Sequence, residues 1–401
     1  MESAKGTTPK EEMASMTEAS KPAMRDGIIQ RGKTYSYVVR ERDPQTGKTK
    51  GRMVGGFRTR TAARRARDEA RHAVNRGTYV PPKNWTVGKW LDTWIEAHSV
   101  VLKPSTAKSY RDNIARYLKP TIGHERLQGL SPSRLSAVFK ALYESGGQDG
   151  KALSPRTVEF ARAVLRRAMQ DAVTDRIIEV NPVVGTKRPR VVKPKHTTWT
   201  GVQLHTYLGG LAESDRWAPL WIVAATTGMR RGELLALRWS EVDLEEGVIA
   251  VERSVTQVGQ ERIYVTPKNH ERRDVNIDPH TVVAIKAWRK AQLAERLVWG
   301  EAYRGDEDLL FTWEDGRPVR PDFITKVFVK SQTGLQVPRL KLHELRHTHA
   351  TMLLREHVPV HIVAKRLGHK DPSVTLNTYA DAIPDDDGRA ADAFSQAVWG
   401  T

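Results

Sequence analysis

The pattern of hydrophobic and polar positions divides the beginning of the chain into a tail and a small module. Residues 1–25 show no apolar period, which predicts a disordered tail. Apolar and polar positions then alternate as in two short strands, with the apolar side chains at Tyr35, Tyr37, Val39, Met53, Val54 and Phe57. A helix is predicted over 59–74, and four arginines lie away from its alanine face: Arg64, Arg65, Arg67 and Arg71. We therefore expect residues 26–83 to form a small basic strand-plus-helix module.

The next part of the chain has helical spacing throughout. Residues 84–184 contain apolar stripes of helical period, and Ser131-Pro132 and Ser154-Pro155 have the residue types that begin helices. This part is predicted to be an all-α domain. Residues 185–198 are basic, broken by proline and unpatterned, which predicts a linker. Its basic side chains either follow a phosphate backbone or are only solvated, and they include Lys187, Arg188 and Arg190.

The last part, 199–401, mixes helical and strand patterns. Val248–Val258 and Arg262–Thr266 are predicted to form a hairpin, and a third strand is expected near Val275–Ile277. The chain is thus predicted to be a multidomain α+β protein. Its amphipathic end, Ala390–Trp399, is expected to pack either on its own domain or on a neighbouring copy.

The charge of the chain indicates the class of molecule that it binds. The net charge is +18, and segments 1–83, 84–194 and 195–401 carry +10, +9 and −1. Such asymmetry favours a nucleic-acid binder with a separate, near-neutral chemical domain. Cysteine is absent, which excludes disulfides and thiolate chemistry. No apolar run approaches the ~20 residues that span a bilayer, and no signal peptide is seen, so we expect a cytoplasmic protein without a membrane association.

Four short segments of the last part carry the candidate chemistry. In the first, Arg230 opens a helix and Glu233 follows three residues later on the same face. In the second, Lys268 is expected at the tip of the predicted hairpin. His343 and Arg346 share a face of another helix. The fourth segment carries His369, and its short helix begins at Asp371-Pro372 and ends near Tyr379.

These side-chain types are those that phosphoryl transfer needs. Arginine binds phosphate oxygens bidentately and keeps its charge. Lysine can donate a proton to a leaving alkoxide, and a phenol can attack phosphorus to form a covalent ester. The sequence contains no spaced set of Asp and Glu that would hold two metal ions.

In order and spacing, the segments TTGMRRGELLALRW, TPKNHERRDVNI, HELRHTHAT and LGHKDPSVTLNTYA resemble the tyrosine recombinase (phage-type integrase) family. The resemblance covers about residues 199–385. Residues 85–181 more weakly resemble the family's core-site binding domain, and the N-terminal module resembles the arm-site domain of larger members. The resemblance implies a mixed α/β catalytic domain, a 3′-phosphotyrosyl intermediate, and DNA rejoining with no metal, cofactor or ATP.

The resemblance also implies a role for each residue. Arg230 and Arg346 would hold the scissile phosphate, and Tyr379 would be the nucleophile. Lys268 would be the general acid to the 5′-oxygen. His343 would be a base or a phosphate contact, and His369 would hydrogen-bond the phosphate. Glu233 would support the site by orienting Arg230 or a histidine. The implied partners are double-stranded core-type and arm-type attachment sites, three further copies of the chain in a tetramer on DNA, and an excisionase or host DNA-bending protein.

Two other functions compete with this interpretation. His343-Glu344-Leu345-Arg346-His347 also matches the HExxH pattern of zinc peptidases. The extended pattern is absent, however, because Ala350 and Leu353 occupy its downstream Gly and His places. A non-catalytic DNA-binding regulator would be expected to lack part of the constellation, which here is complete.

Overall fold

The computed structural model describes residues 24–42, 49–76, 85–187, 196–211, 215–265, 272–380 and 387–400. The predicted tail 1–25 lies outside the described residues except for its last two, and residues 43–48 between the two predicted strands lie outside them entirely. The chain divides into two compact units, Met1–Val191 and Val192–Thr401, which are considered separately below.

The first unit begins with a small antiparallel sheet and one helix. The strands pair in chain order and are β1 (Met24–Arg25), β2 (Ile28–Arg31), β3 (Thr34–Arg42) and β4 (Thr49–Phe57). Helix α1 (Arg60–Asn75) begins after Thr59, whose side chain accepts a hydrogen bond from the backbone of Ala62. The helix packs its alanines on the inner face of the sheet, formed by Ile28, Tyr37 and Val39. Both predicted strands and the helix are confirmed, and β1 and β2 are additional.

The rest of the first unit is helical, as predicted. Its helices are α2 (Val87–His98), α3 (Pro104–Asn113), α4 (Lys119–Ile122), α5 (Pro132–Ser145) and α6 (Pro155–Thr174). A π-helical turn, Ile114–Leu118, joins α3 to α4. Ser131 and Ser154 cap α5 and α6 through their side chains. The apolar stripes form the core of these helices, where the buried Trp90 indole donates to the carbonyl of Ala168 at 2.9 Å.

The second unit combines helices with two small sheets. Its helices are α7 (Gly201–Gly209), α8 (Ala218–Thr227), α9 (Arg231–Leu234), α10 (Pro279–Trp299), α11 (Pro321–Ser331), α12 (Leu342–Arg355), α13 (Val360–Leu367), α14 (Pro372–Tyr379) and α15 (Asp387–Trp399). The strands are β5 (Val242–Asp243), β6 (Val248–Val251), β7 (Ser254–Val258), β8 (Glu261–Val265) and β9 (Arg273–Asn276). The apolar α8 packs against both α10 and α12. In the described residues, no helix is long and apolar enough to cross a membrane.

The predicted hairpin is only partly right. Val248–Val258 is two strands, because the chain turns at Glu252-Arg253, where Arg253 pairs with Glu241 at 2.7 Å. β6 joins β5 and β9 in one antiparallel sheet, whereas β7 pairs with β8 through a turn at Gly259-Gln260. The segment 266–269, which was predicted to form the hairpin tip, lies outside the described residues. The third strand is confirmed, although it ends at Asn276.

Candidate active site

Arg346 is held by the carboxyl ends of two helices. On α12 it is only 4% exposed, and its guanidinium donates to the carbonyls of Gly228 and Leu367, each at 2.8 Å. These carbonyls lie at the ends of α8 and α13, where helix dipoles place partial negative charge. Burial, and then the nearby charge of Arg230, lowers the pKa of Arg346 to about 9, so it remains charged at neutral pH.

Two glycines make this arrangement possible. Gly228 and Gly368 end α8 and α13 in the left-handed conformation, with φ of 64° and 67°. A Cβ on Gly228 would lie 2.7 Å from the ring of His349, and one on Gly368 would lie 2.7 Å from Arg273. Both the backbone conformation and the space therefore require glycine.

Arg230 and Glu233 form the predicted pair at the start of α9. The Arg230 backbone donates to Glu233 Oε2 at 2.9 Å, and its guanidinium donates to Oε1 at 2.8 Å. The same guanidinium reaches the carbonyl of Gly368 at 3.0 Å. The Arg230 side chain remains 30% exposed, so it can also reach a ligand.

A second arginine, Arg273, also binds Glu233. Arg273, on β9, is buried and donates to Glu233 Oε2 at 2.6 Å and to the carbonyl of Arg366 at 3.0 Å. Burial raises the pKa of Glu233, but the hydrogen bond and charge of Arg273, together with Arg230, outweigh it and leave that pKa below its usual range. Sequence reasoning missed Arg273, because it lies in a run of basic residues and only the strand pairing shows which one turns inward.

Two histidines face the same region in their neutral forms. His343 lies exposed on the first turn of α12, and partial desolvation, followed by the charges of Arg346 and Arg230, lowers its pKa. His369 follows Gly368, and its Nδ1 lies 2.7 Å from the hydroxyl of the buried Thr375. Burial and then Arg346 lower the pKa of His369 to about 4. Thr375 was not foreseen, since it is an ordinary helix residue in sequence.

Tyr379 completes the group at the end of α14. Its ring is 4% exposed, and its Oη lies 2.8 Å from Nδ1 of His347. Burial raises the pKa of Tyr379 to about 12, although the charges of Arg346 and Arg230 act in the opposite direction. The phenol therefore lies near enough to both arginines for their charges to act on it. His347 was considered in the sequence only as half of an HExxH pattern, and its contact with Tyr379 was missed.

The arrangement binds an anion beside a phenol. Arg230, Arg346 and Arg273 carry three positive charges, whereas Glu233 carries one negative charge, and the lowered pKa values keep the adjacent histidines neutral. The balance is about two unmatched positive charges next to Tyr379. Such a site suits a phosphate group, which arginine binds bidentately.

The other residues predicted for function lie elsewhere or outside the described residues. Lys268, Arg188 and Arg190 are outside them, and Lys187 is exposed. On α1, Arg64 pairs with Asp26, Arg65 with Glu69 at 3.1 Å and Arg67 with Asp68 at 2.7 Å, whereas Arg71 is exposed. The first three arginines are therefore partly neutralised within the module.

Comparison with known proteins identifies the family. Residues 212–385 match the phage integrase family, and residues 86–142 match the N-terminal SAM-like domain of phage integrases. These matches cover more than half of the 401 residues. The chain belongs to the phage integrase family. The resemblance expected from the four segments is thereby confirmed, as are the mixed multidomain fold and the class of enzyme, a tyrosine-type site-specific recombinase.

Relatives of this integrase cover most of its length. A protein named tyrosine recombinase XerC-like, from Caldanaerobacter subterraneus subsp. tengcongensis, is 28% identical over 382 residues, which are 90% of this chain and 96% of that protein. Among solved structures, the Tn1549 transposon integrase in complex with transposon right end DNA has a TM-score of 0.65 at 20% identity, over 78% of this chain and 99% of that one. A lambda integrase tetramer bound to a Holliday junction has a TM-score of 0.54 at 18% identity, over 87% and 97%.

The zinc-peptidase alternative lacks support from the geometry of this integrase. A catalytic zinc site needs three protein ligands. In the part of the chain that the structure describes, no three His, Cys, Asp or Glu side chains are grouped so that they could hold a metal ion. The second histidine of the HExxH pattern, His347, contacts Tyr379 instead.

Proposed function

We propose that this integrase cleaves and rejoins double-stranded DNA with Tyr379 as the nucleophile, and so inserts a phage or mobile element into a bacterial chromosome. The observation that carries the proposal is the group formed by Arg346, Arg230 and Tyr379, in which the positive charges of both arginines act on a buried phenol. That group supplies both a nucleophile and an anion site for the phosphate it would attack.

The chemical steps follow from the residues. Arg230 and Arg346 bind the nonbridging oxygens of the scissile phosphate and stabilise the charge of the pentacoordinate state. Tyr379 Oη attacks phosphorus, the 5′-oxygen leaves, and Lys268 donates the proton that the 5′-oxygen takes up. His343 and His369 contact the phosphate as neutral hydrogen-bonding groups. Glu233 holds Arg230 in position. Attack by a 5′-hydroxyl on the phosphotyrosyl bond reverses these steps and rejoins the DNA.

The basic first half is proposed to bind the DNA partner. The helical domain would bind core-type sites, and the module at 26–83 would bind arm-type sites through Arg71 and the three arginines beside it. Lys187, Arg188 and Arg190 would contact phosphates between domains. The active form is proposed to be a tetramer on DNA in the bacterial cytoplasm, assisted by an excisionase or a host DNA-bending protein. The DNA-bound integrases of similar fold support this proposal.

The test of the proposal replaces the nucleophile. Tyr379→Phe removes the attacking oxygen and keeps the ring. On a nicked suicide substrate, in EDTA and without ATP, the unaltered protein should form a protein–DNA adduct that survives denaturation, and the variant should form none. Tyr207→Phe is the matched control, because it removes a buried phenol that contacts Ser331 at 2.7 Å. This control should retain the adduct.

Three outcomes would count against the proposal. An adduct in Tyr379→Phe would move the nucleophile elsewhere, with Tyr303 and Tyr264 the next candidates. Cleavage that EDTA abolishes would replace the metal-free mechanism with metal chemistry. Sequence-specific DNA binding without any adduct would favour the non-catalytic regulator.

A further inference from the structure

One buried contact of the site has no part in the chemistry described so far. His347 Nδ1 lies 2.8 Å from Tyr379 Oη, and the two residues are 8% and 4% exposed. Among the described residues, His347 is the one hydrogen-bond partner of this phenol. The atom that would attack phosphorus thus touches an imidazole before any substrate is bound.

The fold holds this imidazole in place. His347 follows Arg346 on α12, and successive helix positions diverge by about 100°. Arg346 therefore reaches the helix ends while His347 turns toward α14. His196, before α7, stacks on the His347 ring with centroids 3.8 Å apart and an interplanar angle of 18°. The stacked ring on one side and Tyr379 at its edge fix both the plane and the rotation of the imidazole.

The hydrogen bond has a preferred direction. Burial, and then the charges of His196 and His343, lowers the pKa of His347 to about 3, so its ring is neutral and has one nitrogen free to accept. The other titratable groups that act on the His347 ring are Arg346 and His369, and both disfavour a second proton on that ring. The Tyr379 phenol carries its proton at neutral pH. If Nδ1 carried the ring proton and donated to Oη, the buried Tyr379 hydroxyl would have no acceptor, and a buried donor without a partner costs free energy. We therefore assign Oη–H as the donor and Nδ1 as the acceptor.

We propose that His347 is a catalytic residue that accepts the Tyr379 proton during cleavage and returns it during rejoining. This inference rests on the proposed function. As the Oη–P bond forms, the Oη–H bond breaks, the proton goes to Nδ1, and the P–O5′ bond breaks with its electron pair on the 5′-oxygen. In rejoining, the imidazolium returns its proton to Oη as tyrosine leaves phosphorus. Burial and nearby positive charges both disfavour a proton on the ring in the free protein; the negative phosphate, once bound, offsets those charges and so favours the transfer.

The experiment measures adduct formation by the full-length protein on the nicked substrate. His347→Asn keeps a side-chain group able to hydrogen-bond near the position of Nδ1 but cannot accept a proton. Its rate should fall by about 10²–10⁴-fold, the usual contribution of a general base. His347→Ala should be equally slow, and added imidazole should raise its rate. DNA affinity of both variants should stay near that of the unaltered protein. His347→Asn should also unfold near the same temperature, whereas His347→Ala should unfold at a lower temperature because it leaves the buried Tyr379 hydroxyl without a partner. His361→Asn, an exposed histidine on α13, is the matched control and should retain the rate.

A second substrate separates the base from the acid. A 5′-bridging phosphorothiolate has a leaving group that needs no proton, so it should restore cleavage by Lys268→Ala. The same substrate should not restore His347→Asn. Restoration, or a His347→Asn rate within a few-fold of the unaltered protein on the ordinary substrate, would overturn the role of His347 as proton acceptor. Failure of the unaltered protein to form any adduct would instead overturn the proposed function, so the two failures are distinguishable.

Discussion

Replacement of Glu233 by glutamine tests how the site holds its arginines. Glu233 is 1% exposed and accepts from Arg230 at 2.8 Å and from Arg273 at 2.6 Å. Glutamine keeps the shape and one acceptor oxygen but removes the negative charge. Arg273, which is 8% exposed, would then be a buried cation without a counter-ion.

The expected loss of stability follows from that geometry. Removal of one partner of a buried ion pair costs about 3–5 kcal/mol, and the retained acceptor places Glu233→Gln near the lower end. For a unit of this size, about 3 kcal/mol corresponds to a fall of about 6–12 °C in Tm. Adduct formation should also slow by about tenfold, since Arg230 loses a charge-assisted hydrogen bond that orients it.

The matched control is the same substitution at an exposed pair in the same unit. Glu252 pairs with Arg272 at 2.8 Å, and the two side chains are 36% and 63% exposed. Glu252→Gln should cost less than about 1 kcal/mol. Thermal unfolding of both variants, measured beside the unaltered protein at pH 7, gives the comparison. Equal Tm values for Glu233→Gln and Glu252→Gln would refute the assignment of Glu233 as the counter-ion of buried Arg273.

The pH dependence checks the same assignment. Because the folded-state pKa of Glu233 lies below its usual value of 4.5, its charge contributes full stability above pH 4.5. That contribution is lost as the pH falls through the folded-state pKa, where the carboxylate is protonated. The Tm difference between Glu233→Gln and the unaltered protein should therefore persist from pH 7 to pH 4.5 and narrow only below. A difference that already disappears above pH 4.5 would contradict the lowered pKa.

Two further predictions concern His369 and the N-terminal module. Thr375→Val removes the hydroxyl that lies 2.7 Å from His369 Nδ1, so adduct formation should slow by about tenfold while DNA affinity stays unchanged. Thr378→Val on the same helix is the control and should keep the rate of the unaltered protein. Equal rates for the two variants would contradict the role of Thr375 in positioning His369. Deletion of residues 1–83 should leave core-site cleavage intact and abolish integration between arm-bearing sites. The slope of log affinity against log salt concentration, measured on full-length sites, should become shallower by several units, because each neutralised phosphate contributes about 0.9 to it. An unchanged slope would mean that the charge of the module is only solvated surface.

The sequence predicts those parts of the site that local patterns encode. Ser131, Ser154 and Asp371 begin helices where their residue types predict it, and Tyr379 lies at the end of the short helix that Asp371 begins. The pairing of Arg230 with Glu233 could also be predicted, because it needs only the spacing along one helical turn. Each of these features depends on a few neighbouring residues.

The features that were missed depend on contacts between distant residues. Arg273 reaches Glu233 across 40 positions, and His347 reaches Tyr379 across 32. The predicted hairpin was only partly right for the same reason, because Val248–Val251 pairs with β5 and β9, and only Ser254–Val258 pairs with β8. An apolar run of strand type shows that a strand exists, but not which strand it pairs with. Lys268 lies outside the described residues, and its role stays a prediction.

The backbone supplies the part of the site that no side-chain pattern reveals. Three guanidiniums, of Arg346, Arg230 and Arg273, bind carbonyls at the end of α13, at Leu367, Gly368 and Arg366. The carboxyl ends of helices attract cations, so the carboxyl end of α13 gathers three charges that would otherwise repel one another. In the sequence, this use of helix ends is indicated by Gly228 and Gly368. Each glycine ends a helix and leaves the last carbonyls of that helix free to accept from an arginine. A glycine one or two positions before a candidate arginine or histidine is therefore informative here, because it marks where the backbone itself becomes part of the anion site.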